Sequence, residues 1–130
     1  MNGRGAATAA MVTAVTTVVV VLAAMLPTED PRTVAGRVQC RSGRPVTGIW
    51  VDAVNGGSSW AQWQPVEDTP SIATFSYDLL FGGRFSIDVG CGGTRVRWAS
   101  STSSAVLDTL SPQLTCRDAM TPRRTSNGCE

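Results

Sequence analysis

A repeated alternation of apolar and polar residues in short segments constrains the fold of this chain more than any other feature. Residues 34–41 read VAGRVQCR, in which every second position is apolar or small. The same alternation returns in residues 47–54, 73–79 and 84–89, and the stretches RSGRP, NGGSS and LFGG separate these segments. Because the side chains of a strand point alternately to its two faces, each segment is expected to form a strand with one buried face.

Together these segments predict an all-β fold. No stretch after Leu26 has apolar residues at helical spacing over several turns. A series of about six or seven short strands with turns at regular intervals is typical of a single small, antiparallel-rich β-sandwich. The residues expected to face its core are Ile49, Val51, Ala53, Phe75, Tyr77, Leu79, Phe85, Ile87, Val89, Val96 and Trp98.

The remaining stretches are less regular in their alternation. A short strand is expected at residues 59–64, a loop at 65–71, a strand at 95–99 and a last strand within 106–116. The glycines of CGGT place residues 91–94 in a turn. The serine-rich residues 100–105 receive no strand, and residues 117–130 are expected to be irregular up to the last cysteine.

The N-terminal residues 1–26 are expected to direct export. Residues 6–26 carry no charge, and Arg4 is the only charged residue before them. A basic start followed by an apolar run is typical of a secretory signal peptide. The run also reaches the length of about 20 residues that spans a bilayer, so an uncleaved anchor remains open. In both cases the rest of the chain lies outside, with residues 27–33 as a linker and residues 34–130 as the domain.

The charge of the exported part argues against nucleic acid as a partner. The chain has 11 Lys plus Arg, all of them Arg, against 10 Asp plus Glu. Without Arg4 the two signs balance, so the domain lacks the basic excess that binds phosphates. Membrane contact is expected only through residues 6–26, if they are retained.

Cysteine content predicts cross-links in an extracellular or cell-envelope protein. The 4 cysteines, Cys40, Cys91, Cys116 and Cys129, all follow the apolar run. An even number in a small exported domain predicts disulfides. A zinc site and a free thiol are the alternatives, but no two cysteines have zinc-site spacing and the chain has no His. No cofactor is expected. Four cysteines allow three pairings, which the residues alone leave open.

The run VAGRVQCRSGRPVTGIWVDA resembles the opening hairpin of transthyretin-like sandwiches of the carboxypeptidase-regulatory type. Their later signature, a glycine turn followed by aromatic-x-hydrophobic-x-Val, is matched by GGRFSIDVG. With GGSSWAQW, VGCGGT and Trp98, the pattern also resembles small secreted actinobacterial proteins. The likeness covers residues 34–116 and implies a fold rather than an activity, because this sandwich serves many functions.

The resemblance also implies a disulfide pairing. In transthyretin-like sandwiches the first strand lies beside a late strand that runs parallel to it. Cys40 ends the first strand and Cys116 ends the last, so the resemblance implies a Cys40–Cys116 bond. Cys91, placed in a turn, is then expected to hold the tail through Cys129.

The residues that carry chemistry do not favour an enzyme. The chain lacks His, the residue most used for proton transfer near neutral pH. Asp52 and Asp88 on strands, and residues 67–68 in a loop, are expected to be solvated carboxylates rather than the paired acids of a glycosidase. The glycine pairs open no helix, so they are expected to be hairpin turns rather than phosphate cradles.

The 4 tryptophans are the most informative candidates for function. Trp98 is expected in the core. Trp60 and Trp63 are three residues apart, so on a regular strand they point to opposite faces, and Trp50 shares the outward face of its strand with Asp52. An exposed indole suits stacking on a sugar or docking of a protein, so the predicted ligand-binding residues are Trp50, Asp52, Trp60 and Trp63. Burial of Trp50 beneath the C-terminal segment is the alternative.

Three functional hypotheses remain. The first is a non-catalytic binding module of the cell envelope, secreted or membrane-anchored, with a cell-wall polysaccharide or an envelope protein as its ligand. The second is a structural accessory of the envelope without a dedicated ligand. The third is a small secreted hydrolase or an enzyme inhibitor. Exposed tryptophans that the fold brings together favour the first hypothesis, whereas four buried tryptophans favour the second.

Overall fold

The computed structural model describes residues 29–119 and 123–130, so the predicted signal peptide or anchor at residues 1–26 lies outside the described residues. The described residues form strands and no helix, which confirms the predicted all-β class. No helix that could cross a bilayer is therefore found in this part of the chain. The strands are β1 (Arg32–Cys40), β2 (Val46–Ala53), β3 (Ser59–Trp60), β4 (Gln62–Val66), β5 (Thr69–Leu79), β6 (Phe85–Gly93), β7 (Trp98–Ser104), β8 (Gln113–Cys116) and β9 (Arg123–Cys129).

These strands form one sheet, in the order β3-β2-β6-β7-β9-β8-β1-β5-β4. The two edge strands of this order, β3 and β4, are consecutive in the chain with only Ala61 between them. The amide of Ala61 donates a hydrogen bond of 2.9 Å to the carbonyl of Ile49. One segment therefore joins both edges, and the sheet closes into a barrel-like sandwich. The single strand expected at residues 59–64 is thus two strands, because the segment pairs first with β2 and then with β5.

The core lies where the predicted inward faces of the alternating segments meet. Along β1 every second residue is buried or half-buried, from Arg32 to Cys40. The β2, β5 and β6 segments also point the expected residues inward, with Tyr77 half-buried at the margin. The large side chains that are almost completely buried are Phe85, Ile49, Leu79, Ile87, Val34, Val38, Val51 and Val89.

The serine-rich residues 100–105 differ from the prediction, because residues 100–104 lie within β7. Its buried residues are Ser100, Thr102 and Ser104. The hydroxyl of Ser100 donates to the Cys91 carbonyl (3.2 Å), and the hydroxyl of Ser104 accepts from the amide of Ile87 (3.0 Å). An alternation of apolar residues could not reveal this strand, since its inward side chains are short and polar.

Two other stretches are also more regular than expected. Residues 65–71, expected to be a loop, contain a tight hairpin in which Val66 pairs with Thr69 around Asp68 at a φ of 62°. The C-terminal stretch, expected to be irregular, contains β9, which runs parallel to β7. The turns expected at RSGRP, NGGSS and LFGG are confirmed between their strands.

The prediction of two disulfides is confirmed, but the expected pairing is wrong. Cys40 is bonded to Cys91, with their Cα atoms 5.9 Å apart, and Cys116 is bonded to Cys129, with a Cα separation of 3.9 Å. Cys91 does not lie in a turn, because β6 continues through it to Gly93, and its side chain is fully buried. It therefore faces the interior, where Cys40 of β1 reaches it.

The strand alignment behind the wrong pairing was nevertheless correct. β1 and β8 are parallel neighbours, and Cys40 is in register with Cys116. Side chains paired in this way stand about 4.8 Å apart, the distance between strands, whereas a disulfide needs Cβ atoms about 3.8 Å apart. Cys116 instead faces Cys129 in an antiparallel pair flanked by hydrogen bonds between Thr115 and Glu130. Side chains approach most closely at such a position.

The two disulfides are expected to contribute unequally to stability. The sequence separation is 51 residues for Cys40–Cys91 and 13 for Cys116–Cys129. In the chain-entropy model these loops correspond to about 4 and about 3 kcal/mol. Replacing Cys40 and Cys91 together by Ala should therefore lower the free energy of unfolding more than replacing Cys116 and Cys129 together. Denaturant unfolding of both variants measures this, and the opposite order would contradict the assignment, as would a Cys40–Cys116 peptide in a non-reducing digest.

A second stability prediction concerns the interior of β7. The hydroxyl of Thr102 is buried and has no hydrogen-bond partner among the described residues. An unsatisfied buried polar group costs about 1–3 kcal/mol, so Thr102→Val should raise the free energy of unfolding by about 1 kcal/mol. Thr47→Val is the matched control, because the buried Thr47 hydroxyl donates to the Gly92 carbonyl (3.0 Å) and its removal should destabilise. Equal effects of the two substitutions would contradict the prediction.

Candidate functional site

The fold brings two of the predicted binding residues into contact on the outer face of the sheet. Trp50 lies on the outward face of β2, opposite the buried Ile49 and Val51, as alternation predicts. It pairs across the strands with Trp60 of β3. The two ring centroids are 5.0 Å apart with planes at 81°, an edge-to-face contact. The side chain of Trp60 remains 58% exposed.

Trp98 joins this pair, so its assignment to the core is wrong. The centroids of Trp60 and Trp98 are 5.7 Å apart, and Trp98 is half-buried at the start of β7. The preceding Gly92 and Gly93 adopt positive φ values of 72° and 77°, and residues 94–97 form a turn closed by backbone hydrogen bonds. The strand alternation, if it is continued through this turn, therefore assigns Trp98 to the core face, whereas the side chain lies on the outer face. Trp50, Trp60 and Trp98 together are called the tryptophan cluster below.

Two glycines form the surface on which Trp98 lies. A Cβ atom added at Gly90 would be 2.2 Å from an atom of the Trp98 ring, and one added at Gly48 would be 2.5 Å from another. Both glycines lie on the outward faces of β6 and β2, and both are buried. The indole therefore packs directly on the backbone of two adjacent strands, which only glycine allows. Of the C-terminal residues that the structure describes, β9 lies in the sheet beside β7 and does not cover Trp50.

An open groove of about 480 Å³ lies beside the cluster. It is lined by Trp60, Arg95, Val96 and Trp98, and these residues are called the groove below. Val96, which was expected in the core, is 96% exposed because it lies at the turn between β6 and β7. The guanidinium of Arg95 lies 5.1 Å from the centre of the Trp63 ring, a cation–π contact.

Trp63 and Asp52 lie beside the cluster rather than within it. Trp63 is half-buried on β4 and packs against the hydrophobic core, so it faces differently from Trp60, as their spacing predicts. Asp52 is exposed on the outward face of β2 and accepts a hydrogen bond of 3.0 Å from the Ser58 hydroxyl. That hydroxyl also accepts from the amide of Ala53, so Asp52 helps to hold the turn before β3.

Polar side chains surround the cluster on the same outward face. Asp88 of β6 is in register with Trp50, and Ser103 of β7 is in register with Asp88. Ser86 and Ser101 occupy neighbouring outward positions, and all four side chains are half-buried. The face thus offers aromatic rings next to hydroxyl and carboxylate groups. In the described ranges no group of His, Cys, Asp and Glu side chains is arranged to hold a metal ion.

Comparison with known proteins adds no relative: the chain matches no protein-family model, no curated protein and no solved structure.

Sequence reasoning missed the contributions of Trp98, Arg95 and Val96 to this face. The alternation of Arg95, Val96, Arg97 and Trp98 is the pattern of a strand with one buried face, so the local residues gave no sign that residues 94–97 form a turn. The short distance from this turn to Trp60 arises only from strand order, which the residues do not encode locally.

The packing of Trp98 on glycine can be tested by a double-mutant cycle. Gly90→Ala should destabilise the domain by about 1–3 kcal/mol, because the new methyl group overlaps the indole. The same substitution made in a Trp98→Ala background should cost clearly less, since the overlapping ring is gone. Ser86→Ala, on the same face of β6, is the control and should not depend on Trp98. Denaturant unfolding of the set measures the coupling, and purely additive losses would contradict the contact.

Proposed function

We propose that this chain is a non-catalytic β-sandwich module of the cell envelope that binds a saccharide at the groove. The observation that carries the proposal is the exposed ring of Trp60, which contacts Trp50 on one side and Trp98 on the other. A tryptophan fixed by two edge-to-face neighbours keeps its orientation before a ligand arrives. Less conformational entropy is then lost on binding.

The groups around the cluster suit a sugar. The face of an indole is apolar and packs against the C–H groups of a sugar ring, while the hydroxyls of that ring need hydrogen-bond partners. Asp88, Ser101 and Ser103 lie on the same outward face and offer such partners. Arg95 adds guanidinium donors, and among the described residues no carboxylate forms an ion pair with it.

A small ligand fits the groove better than a protein does. Stable protein interfaces bury about 800 Å² on each partner and involve about 20–30 residues a side. In the groove the exposed large apolar side chains are those of Trp60 and Val96. An apolar patch of this size is adequate for one or two sugar rings, but it is small for the centre of a protein interface.

The family and the location belong to the same proposal. We assign the sandwich to the transthyretin-like, carboxypeptidase-regulatory type, supported by the sequence pattern of residues 34–53 and by the parallel neighbours β1 and β8. The hairpin expected from that pattern does not form, because β1 pairs with β5 and β8 whereas β2 pairs with β3 and β6. The two disulfides support an oxidising compartment, and therefore an exported protein. Export in turn makes the polysaccharides of the cell envelope the accessible ligands.

Substitution of Trp60 tests the proposed site. Trp60→Ala should raise the Kd for the cell-wall polysaccharide, measured from the retardation of the protein, by about tenfold or more. This corresponds to a loss of about 1.4 kcal/mol of binding free energy. Because the ring is mostly exposed but contacts Trp50 and Trp98, the free energy of unfolding should fall by about 1–2 kcal/mol, less than truncation of a core aromatic costs. Affinity electrophoresis against a panel of soluble cell-wall polysaccharides, beside denaturant unfolding, measures both quantities.

Phe81→Ala is the matched control for this experiment. Phe81 is an aromatic residue that is 54% exposed but lies outside the groove. Its replacement should leave retardation unchanged. Equal weakening by both substitutions would place the binding elsewhere. If no polysaccharide retards the unsubstituted protein, the groove is not a saccharide site, and a structural role in the envelope becomes the better hypothesis.

A further inference from the structure

A second exposed apolar patch lies in the turns at the other end of β6 from Val96, and its Leu80 borders an open pocket that Trp60 also lines. It consists of Val54, Leu80 and Phe81, which are 57%, 60% and 54% exposed, and it is called the tip below. Val54 begins the turn between β2 and β3, and the other two residues lie in the turn between β5 and β6. The side chain of Asn55 donates to the Phe81 carbonyl (3.1 Å), so the two turns are held together.

The described chain begins against this tip. The carboxylate of Glu29 accepts a hydrogen bond from the side chain of Asn55. A Cβ atom added at Gly82 would lie 2.7 Å from the carbonyl oxygen of Asp30. The residues that enter β1 therefore pack on both turns. The uncharged run of residues 6–26 ends only three positions before Glu29, a reach of about 10 Å at full extension.

We propose that the tip rests on the outer surface of the bilayer in which residues 6–26 are anchored. A run of 21 uncharged residues is long enough to span the hydrocarbon core, which takes about 20. Arg4 before the run places its C-terminal end on the outside. With so short a connection, the end of the domain that meets lipid is the end that carries Leu80 and Phe81.

The charges around the tip indicate how it contacts lipid. The neighbouring ionisable side chains are those of Glu29, Asp30, Arg32, Asp78, Arg84 and Asp108. Acidic side chains outnumber basic ones, and Arg32 pairs with Asp108 at 3.5 Å. Attraction to anionic lipid therefore does not drive the contact, which depends on insertion of apolar side chains at the level of the headgroups. It should not require anionic lipid and should resist salt.

Docking of the tip orients the groove. The turn that holds Arg95 and Val96 follows the C-terminal end of β6, whereas Leu80 and Phe81 precede its N-terminal end. A strand from Phe85 to Gly93 is about 25 Å long. The Val96 turn therefore points away from the bilayer. Docking of the tip does not rest on saccharide binding, because it is argued from the apolar side chains of the tip and from the uncharged run of residues 6–26.

The test uses the full-length chain, labelled with ¹⁵N and reconstituted in phosphatidylcholine nanodiscs that contain a lipid with a nitroxide at its headgroup. Amide signals of residues 54–57 and 80–83 should be lost by paramagnetic broadening, at low and at high salt. Signals of residues 94–97, at the opposite end of β6, should persist. Leu80→Ser with Phe81→Ser should release the domain from its fixed orientation, so that signals of residues 94–97 are broadened as well as those of the tip. Val96→Ser, a substitution at an apolar residue that is 96% exposed in the opposite turn, should leave the difference between the two ends as in the unsubstituted protein.

Several outcomes would overturn the proposal. One is a mature protein whose mass lacks residues 6–26, since the tip then has no bilayer beside it. Another is persistence of the tip signals next to the labelled lipid, or equal loss at residues 94–97. A third is a tip that is covered by a second copy, detected as broadening that depends on protein concentration and disappears in nanodiscs with one chain each. None of these results bears on retardation by polysaccharides, so this proposal and the proposed function can fail separately.

Discussion

The Cys40–Cys91 disulfide crosses the interior of the closed sheet. In the strand order β1 and β6 are separated by three other strands, so the bond spans the core rather than a single ladder. Both sulfur atoms are buried among the side chains that fill that core. The bond holds the β2–β6 half of the sheet against the β1–β5 half at a fixed distance. A domain of about 100 residues buries only a moderate core, and a covalent bond between the halves supplements it.

The same strand that supplies Cys91 also creates the outer face. Cys91 points inward from β6, while Gly90 beside it leaves the outward side flat and allows Trp98 to lie on the backbone. Gly92 then turns the chain toward the Val96 turn with a positive φ. Cross-link, indole platform and turn therefore arise within four consecutive residues. The stability of the core and the shape of the proposed binding face are linked through this short segment.

The two exposed apolar regions differ in ways that separate their proposed roles. The groove combines two indole rings with an arginine that has no carboxylate partner among the described residues, and serine hydroxyl groups lie on the sheet face beside it. The tip consists of apolar side chains on two turns that also hold Glu29 and Asp30 at the start of the described chain. A module that docks through the tip and binds through the groove would present its site to polymers beyond the membrane surface. The Val96 turn of the groove and the tip lie next to different ends of β6, while Trp60 and Leu80 line a pocket between them.

Local residue patterns determined the all-β class, the inward faces of β1, β2, β5 and β6, the presence of two disulfides and the outward position of Trp50. Each of these follows from alternation or from composition, which act over a few residues. The tertiary structure alone decided the partner of Cys91, the strand made from Ser100 to Ser104 and the contact of Trp98 with Trp60. These depend on which strands become neighbours. Residues far apart in the chain settle that order, so no local pattern of the sequence contains it.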